Sequence, residues 1–119
     1  MKKIYHLSTC NTNQRIIKET GIQDKQFSMQ DIKKEPITEN QLDEMKALSG
    51  SYEALFSRKA IKYKTLQLKD QLLQENDYKK YILEDYTFLK RPVVIMHQKI
   101  FIGNDKKTIE ALKSELAPL

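Results

Sequence analysis

Cysteine is almost absent from this sequence, since Cys10 is the only one among 119 residues. A single cysteine excludes an internal disulfide and a cysteine-based zinc site, and it is typical of a reducing compartment. The chain also has no tryptophan and only three glycines and three prolines, which argues against disordered or linker-rich segments. We therefore expect a globular protein whose core forms without covalent cross-links.

Long apolar runs are missing as well. The basic start Met1-Lys2-Lys3 leads into residues too few and too polar for a signal peptide, and no run approaches a membrane span. We expect a cytoplasmic protein. The net charge of +5 is mild and its lysines are dispersed, which favours a solvated surface over a nucleic-acid site. The acidic residues are scattered without metal-ligand spacing, so we expect no metal.

The hydrophobic pattern at the start of the chain predicts a strand, a helix and a second strand. Residues 3–7 are short and apolar, and helical spacing follows from Asn13 to a stop at Gly21. Residues 26–32 then alternate as a strand, with Met29 among the apolar positions. A helix that joins two strands in this way favours a parallel pair with a right-handed crossover.

Helical patterns fill the middle of the chain. Three helices are predicted, over residues 38–50, 51–56 and 76–86. A capping box of Thr38 and Gln41 begins the first helix, and Asn76 or Asp77 caps the third. Residues 58–62 are predicted as a polar exit from the second helix, and Leu66 and Leu68 as part of an irregular section.

The end of the chain predicts two strands and a helix. Residues 91–96 form an apolar strand, His97-Gln98 a two-residue turn and residues 99–102 the return strand, before Asp105 caps the last helix. The β-α-β and β-β-α halves predict an α/β, thioredoxin-like (glutaredoxin-like) fold with a mixed four-stranded sheet. We expect a single domain over residues 1–119, with residues 33–89 as a helical insertion between its halves.

Cys10 is the candidate nucleophile. It lies between a strand and a helix, where the amides at the helix start stabilise an anion and so favour the thiolate. His6 and Arg15 lie on either side of it and add positive charge. The alternative is a small side chain that packs without chemistry, which is common for a lone cysteine.

Three segments together resemble the arsenate reductase/Spx family, which is also called ArsC-like. They are residues 4–15 around Cys10, residues 51–59, and residues 89–95 followed by residues 100–104. The resemblance extends over nearly the whole chain and implies the same thioredoxin-like fold.

The resemblance implies a role for each matched residue. Cys10 corresponds to the nucleophile that attacks arsenate, and His6 to a histidine that helps to activate it. Arg58 and Arg91 correspond to two arginines that bind the oxyanion, for which the planar guanidinium fork is well suited. Pro92 corresponds to the cis-proline next to the active thiol.

The sequence departs from the family pattern at two places. Several members carry Cys-X-X-Cys, but Asn13 occupies the second position here and excludes an internal disulfide switch. Reductases coupled to glutaredoxin also use a third, later arginine, whereas this chain has none after Arg91, so Arg15 would have to substitute. An external thiol, from glutathione or glutaredoxin, would then resolve the adduct on Cys10.

We therefore expect a thiol-dependent oxidoreductase resembling arsenate reductase, with a small oxyanion or thiol substrate and no bound cofactor. One alternative is a transcriptional regulator like Spx, a family with this fold that binds RNA polymerase partly through the inserted segment, in the region of residues 48–51. Another is a family member without catalysis. The missing second cysteine weighs against the regulator, and none of these hypotheses needs direct contact with nucleic acid or a membrane.

Overall fold

The computed structural model describes residues 1–117, and within this range it contains four strands and five α-helices. The strands are β1 (Lys2–His6), β2 (Ser28–Asp31), β3 (Val93–Met96) and β4 (Lys99–Ile102). The helices are α1 (Asn11–Thr20), α2 (Glu39–Ser49), α3 (Ile61–Thr65), α4 (Glu75–Glu84) and α5 (Lys106–Leu116). The predicted order of strands and helices is therefore confirmed at both ends of the chain.

The strands form one mixed sheet in the order β2-β1-β3-β4. β1 and β2 run parallel, so that His6 pairs with Asp31 at the end of both strands. β3 runs antiparallel to β1 and to β4. These pairings confirm the predicted α/β fold with a mixed four-stranded sheet.

The chain divides into two compact units. The first combines Met1–Glu35 with the chain from Arg91 onward, and it contains the whole sheet together with α1 and α5. The second is the continuous segment Pro36–Lys90, which contains α2, α3 and α4. That residues 33–89 form an insertion within a single domain stays a prediction.

Apolar residues from the strands, from α5 and from the connection between α1 and β2 form the core of the first unit. The core cluster consists of Ile4, Ile22, Phe27, Val94, Leu112 and Leu116. The predicted cap of α5 is present, because the Asp105 side chain accepts a hydrogen bond from the Thr108 amide at 3.2 Å. This cap fixes the start of the helix, and its apolar stripe covers the sheet.

Aromatic rings and a capping box organise the second unit. The buried ring of Phe56 stacks on Phe88 at 5.1 Å and meets Tyr78 at 4.9 Å, both centroid distances. The predicted capping box at the start of α2 is confirmed, with the Gln41 amide donating to Thr38 Oγ1 at 3.1 Å and the Thr38 amide donating back to Gln41 Oε1 at 3.0 Å.

Two predictions about the second unit are wrong. A helix was missed between the polar exit and the irregular section, because α3 begins at Ile61, whose side chain is 80% exposed. A five-residue helix without a buried residue gives no apolar periodicity from which it could be predicted. The cap of α4 is Gln74, which forms a reciprocal box with Asp77, so neither Asn76 nor Asp77 is the capping residue.

The apolar pattern of β2 is also corrected. Met29 is 40% exposed, whereas the neighbouring Gln30 is buried and its side-chain amide donates to the Glu35 carbonyl at 3.0 Å. β2 is an edge strand, and a buried glutamine is tolerated there because the backbone that follows supplies a partner. Among the helices of residues 1–117, none is both long and apolar enough to cross a membrane.

Candidate active site

Cys10 occupies the junction between β1 and α1. It is the N-cap residue of α1, with extended backbone angles (φ −94°, ψ 115°), and its partly exposed thiol is free. The Cys10 amide donates to the Leu7 carbonyl at 3.0 Å, and the Gln14 amide donates to the Cys10 carbonyl at 3.0 Å. The thiol therefore lies at a helix N-terminus, as the sequence predicts, although α1 begins at Asn11 rather than Asn13.

Asn13 is completely buried and connects the loop with the thiol. Its Oδ1 accepts a hydrogen bond from the Leu7 amide at 2.9 Å, and its Nδ2 donates to Cys10 Sγ at 3.5 Å. Because the Leu7 N–H requires an acceptor, the oxygen of the Asn13 amide faces Leu7 and its NH2 group faces the sulfur. The sequence placed Asn13 near the thiol but carried no signal for this hydrogen bond.

The loop before Cys10 is held from two sides. The Ser8 hydroxyl donates to Asp31 at the end of β2, and the Gln14 side-chain amide donates to the Ser8 carbonyl. Asp31 also accepts a hydrogen bond from the Lys33 amide at 3.1 Å. The bond from Ser8 is the main reason why the pKa of Asp31 is lowered, so this carboxylate stays ionised. Nothing in the sequence singled out Asp31, since Ser8 and Asp31 are far apart along the chain.

His6 ends β1 and lies beside Asp31 in the sheet register. Burial lowers the pKa of His6, and the negative charge of Asp31 opposes that effect only in part. Its Nδ1 atom is buried and has no hydrogen-bond partner within the part of the chain that the structure describes. The imidazole therefore favours its neutral form, in which one ring nitrogen can accept a proton.

Arg91 and Pro92 lie at the same end of the sheet as the Cys10 loop. Their peptide bond is cis, Pro92 is buried, and its carbonyl accepts a hydrogen bond from the Gly103 amide at 2.8 Å. Tyr5 pairs with Val93 in the antiparallel register, so the end of β1 and the start of β3 coincide. The cis state that the resemblance implies for Pro92 is thus present.

Arg15 and Arg58 each form an ion pair with a carboxylate. Arg15 lies on α1 with a side chain that is 61% exposed, and its guanidinium is 3.7 Å from Glu19. Arg58 belongs to the second unit, where its guanidinium donates to Glu53 at 2.9 Å and to the Tyr78 hydroxyl at 3.1 Å. Glu53 is also the main cause of the raised pKa of Arg58.

The surroundings of Cys10 suit nucleophilic thiol chemistry. The thiol lies at the N-cap of α1, the buried Asn13 amide donates to its sulfur, and the first turn of α1 contains no acidic residue. Helix N-termini are a common setting for reactive cysteines. Within residues 1–117, no three His, Cys, Asp or Glu side chains are grouped so that they could hold a metal ion.

Solved structures from three bacteria share this architecture. An arsenate reductase from Vibrio cholerae is 18% identical, with 94% of this chain and 95% of that chain covered and a TM-score of 0.76. An ArsC-related protein from Brucella melitensis is 19% identical, with 92% of both chains covered and a TM-score of 0.68. A protein from Staphylococcus aureus is 25% identical, with 93% and 97% covered and a TM-score of 0.69. These likenesses confirm the thioredoxin-like fold.

The sequence matches a protein family over most of its length. No curated protein matches it. The ArsC family matches residues 5–112, a range that contains Cys10, Asn13, Arg58 and Arg91. Since this match spans most of the sequence, the chain belongs to the ArsC family.

Proposed function

We propose that this protein is a cytoplasmic, thiol-dependent oxidoreductase that reduces arsenate or a chemically similar oxyanion, with Cys10 as its nucleophile. The observation that carries the proposal is the free thiol at the N-cap of α1, with the buried Asn13 amide 3.5 Å from its sulfur. Membership of the ArsC family supports it, as does the fold shared with an arsenate reductase from Vibrio cholerae.

The proposed reaction needs two thiols for each arsenate. The Cys10 thiolate attacks arsenic, and one oxygen leaves as water after protonation. A glutathione thiol then attacks the Cys10 sulfur, so that two electrons pass to arsenic, arsenite departs, and a mixed disulfide between Cys10 and glutathione remains. Glutaredoxin with further glutathione reduces that disulfide. Because the chain has a single cysteine, the second sulfur comes from another molecule.

His6 and Arg91 have distinct roles in this proposal. His6, whose burial favours the neutral imidazole, takes up the proton that Cys10 loses. Arg91 offers its guanidinium to the oxyanion, since it lies at the sheet end from which the Cys10 loop begins. Arg15 and Arg58 are further candidates for binding an oxyanion, which would compete with Glu19 and Glu53 for their guanidinium groups.

Arsenate turnover with glutathione and glutaredoxin, followed through NADPH and glutathione reductase, tests the proposal. We expect turnover by the wild-type protein and none by Cys10→Ser. Arg91→Ala should lower kcat/KM by about 10²–10³-fold, the usual cost of removing one donor to a developing charge. A wild-type protein that is inactive beside an active reference reductase would contradict arsenate as the substrate.

An interaction role is the second candidate, and exposed apolar side chains of the second unit favour it. Ile61 is 80% exposed and Leu72 is 91% exposed, although single exposed apolar residues are common on protein surfaces. As the alternative we propose binding to the α subunit of RNA polymerase. A pull-down with that subunit tests it, and the double variant Ile61→Asp/Leu72→Asp should lose binding if these side chains contribute.

A further inference from the structure

We infer that Asn13 is a thiolate-stabilising residue, whose side-chain N–H strengthens its hydrogen bond to Cys10 Sγ when the thiol loses its proton. The inference rests on the proposed function in one respect, because both require Cys10 to react as a thiolate. It assigns to Asn13 a role opposite to that of the second cysteine in Cys-X-X-Cys relatives. That thiol removes the reactive sulfur by forming a disulfide, whereas the Asn13 amide cannot form one and stabilises the sulfur as an anion.

The orientation of the Asn13 amide is set by the backbone. Its side chain is 0% exposed, and its Oδ1 is occupied by the Leu7 amide at 2.9 Å. The Nδ2 group therefore points away from Leu7 and toward Cys10 Sγ, at 3.5 Å. A buried NH2 group without an acceptor is costly, so the sulfur also serves the stability of the loop.

The strength of this hydrogen bond differs between the two protonation states of Cys10. A thiol sulfur is a weak acceptor, whereas a hydrogen bond to an ionised acceptor is about twice as strong as one between neutral groups. The Asn13 donor therefore stabilises the thiolate more than the thiol. The proton of Cys10 leaves to solvent or a base, and the N–H proton stays on Asn13, so no charge is created on the amide.

Asn13→Asp removes the hydrogen-bond donor to Cys10 Sγ and keeps the acceptor for the Leu7 amide. The carboxylate has nearly the same shape and still accepts the Leu7 N–H, but it cannot donate to the sulfur and it repels a thiolate. Asn11→Asp is the matched control, because Asn11 is exposed at the first position of the same helix and gains the same charge.

The measurement is the rate of Cys10 alkylation by iodoacetamide across pH, in the full-length protein. For Asn13→Asp we expect the midpoint of the profile to rise by about one pH unit, which is about tenfold in the ionisation constant. Asn11→Asp should move the midpoint much less. If Asn13→Asp does not fold, as judged by circular dichroism, Asn13→Ala replaces it, with a midpoint higher by about half to one pH unit for loss of the donor alone.

A folded Asn13 variant with the wild-type alkylation profile would overturn the inference, and so would equal shifts in Asn13→Asp and Asn11→Asp. The experiment contains no arsenate, so it is independent of turnover. Rapid alkylation of the wild-type protein without arsenate reduction would contradict the proposed function and leave the role of Asn13 intact. Arsenate turnover with unchanged alkylation in Asn13→Asp would do the reverse.

Discussion

Asp31 accepts a hydrogen bond from the hydroxyl of Ser8, and this bond ties the end of β2 to the loop that carries Cys10. His6, just before this loop, pairs with Asp31 in the parallel register of β1 and β2. The position of the thiol therefore depends on a strand that follows it in the sequence. Asp31 keeps its charge through the same hydrogen bond, which lowers its pKa.

Asp31→Asn should reduce both the stability and the acid sensitivity of the protein. The charged hydrogen bond from Ser8 is partly exposed, so we expect a loss of about 1 kcal/mol in unfolding free energy at pH 7. Because folding lowers the pKa of Asp31 below 3.8, its contribution is present above pH 3.8 and is lost as pH falls through the folded-state pKa.

Urea unfolding at pH 7, 5 and 3 measures both effects. The variant should lose less stability than the wild type between pH 5 and pH 3. Asp70→Asn is the control, since Asp70 is exposed in the second unit. Identical pH profiles for wild type and Asp31→Asn would contradict a role for the Asp31 charge in holding the loop.

His6 should make the protein less stable in mild acid. Burial lowers the pKa of His6 from its ordinary 6.5, so the unfolded chain binds a proton more readily than the folded protein does. The contribution is complete above pH 6.5 and is lost as pH falls from there through the folded-state pKa. His6→Gln should flatten the pH dependence of unfolding free energy in this window.

The second histidine supplies the control for that measurement. His97 is exposed in the β3–β4 turn and has φ 58°, a conformation that asparagine tolerates well, so His97→Asn changes a histidine without changing a buried site. Unfolding should be measured in urea at pH 7.0, 6.0 and 5.0. If His97→Asn flattened the profile as much as His6→Gln did, the buried imidazole would not be its source.

Cys10→Ser should abolish turnover while leaving the fold intact or slightly more stable. Cys10 is the N-cap of α1 but makes no capping hydrogen bond through its side chain, whereas serine is among the preferred N-cap residues. We expect thermal unfolding to show a change between zero and a gain of about 1 kcal/mol. A large loss of stability would mean that the thiol is a packing residue, and lost turnover would then carry no catalytic meaning.

Asn13→Cys should create a disulfide that the natural chain cannot form. The Asn13 side chain already reaches within 3.5 Å of Cys10 Sγ, so a sulfur in its place lies within reach of the first. Diamide would accept two electrons and two protons as the two thiols join. We expect free thiols to fall from two to none in Asn13→Cys monomers, whereas Gln14→Cys, on the next and exposed position, should keep both.

Local signals accounted for the elements that the sequence predicted correctly. The apolar runs of β1 and β3, the capping box at Thr38 and the stop at Gly21 each act within a few neighbouring residues. The burial of Gln30 instead of Met29 could not be predicted in this way. It depends on which face of an edge strand meets the rest of the protein, and on the Glu35 carbonyl as partner.

The candidate site shows the same division between local and distant effects. The position of Cys10 at a helix start followed from the strand and helix patterns on either side of it. The contacts of Ser8 with Asp31 and of Arg58 with Glu53 are made by common polar residues, for which many partners are available. A sequence shows that such residues can pair, but only the folded chain determines which of them do.

The two halves of the sheet are synthesised at different times. β1 and β2 come first, whereas their partners β3 and β4 follow only after the whole of Pro36–Lys90. The second unit is continuous in sequence, whereas the first has to close a long loop before β1 gains its antiparallel neighbour. Until β3 has been synthesised, the nascent chain therefore carries the apolar strand β1 without that neighbour, next to the Cys10 thiol. During this interval, oxidants would reach the Cys10 thiol and chaperones would bind the apolar strand.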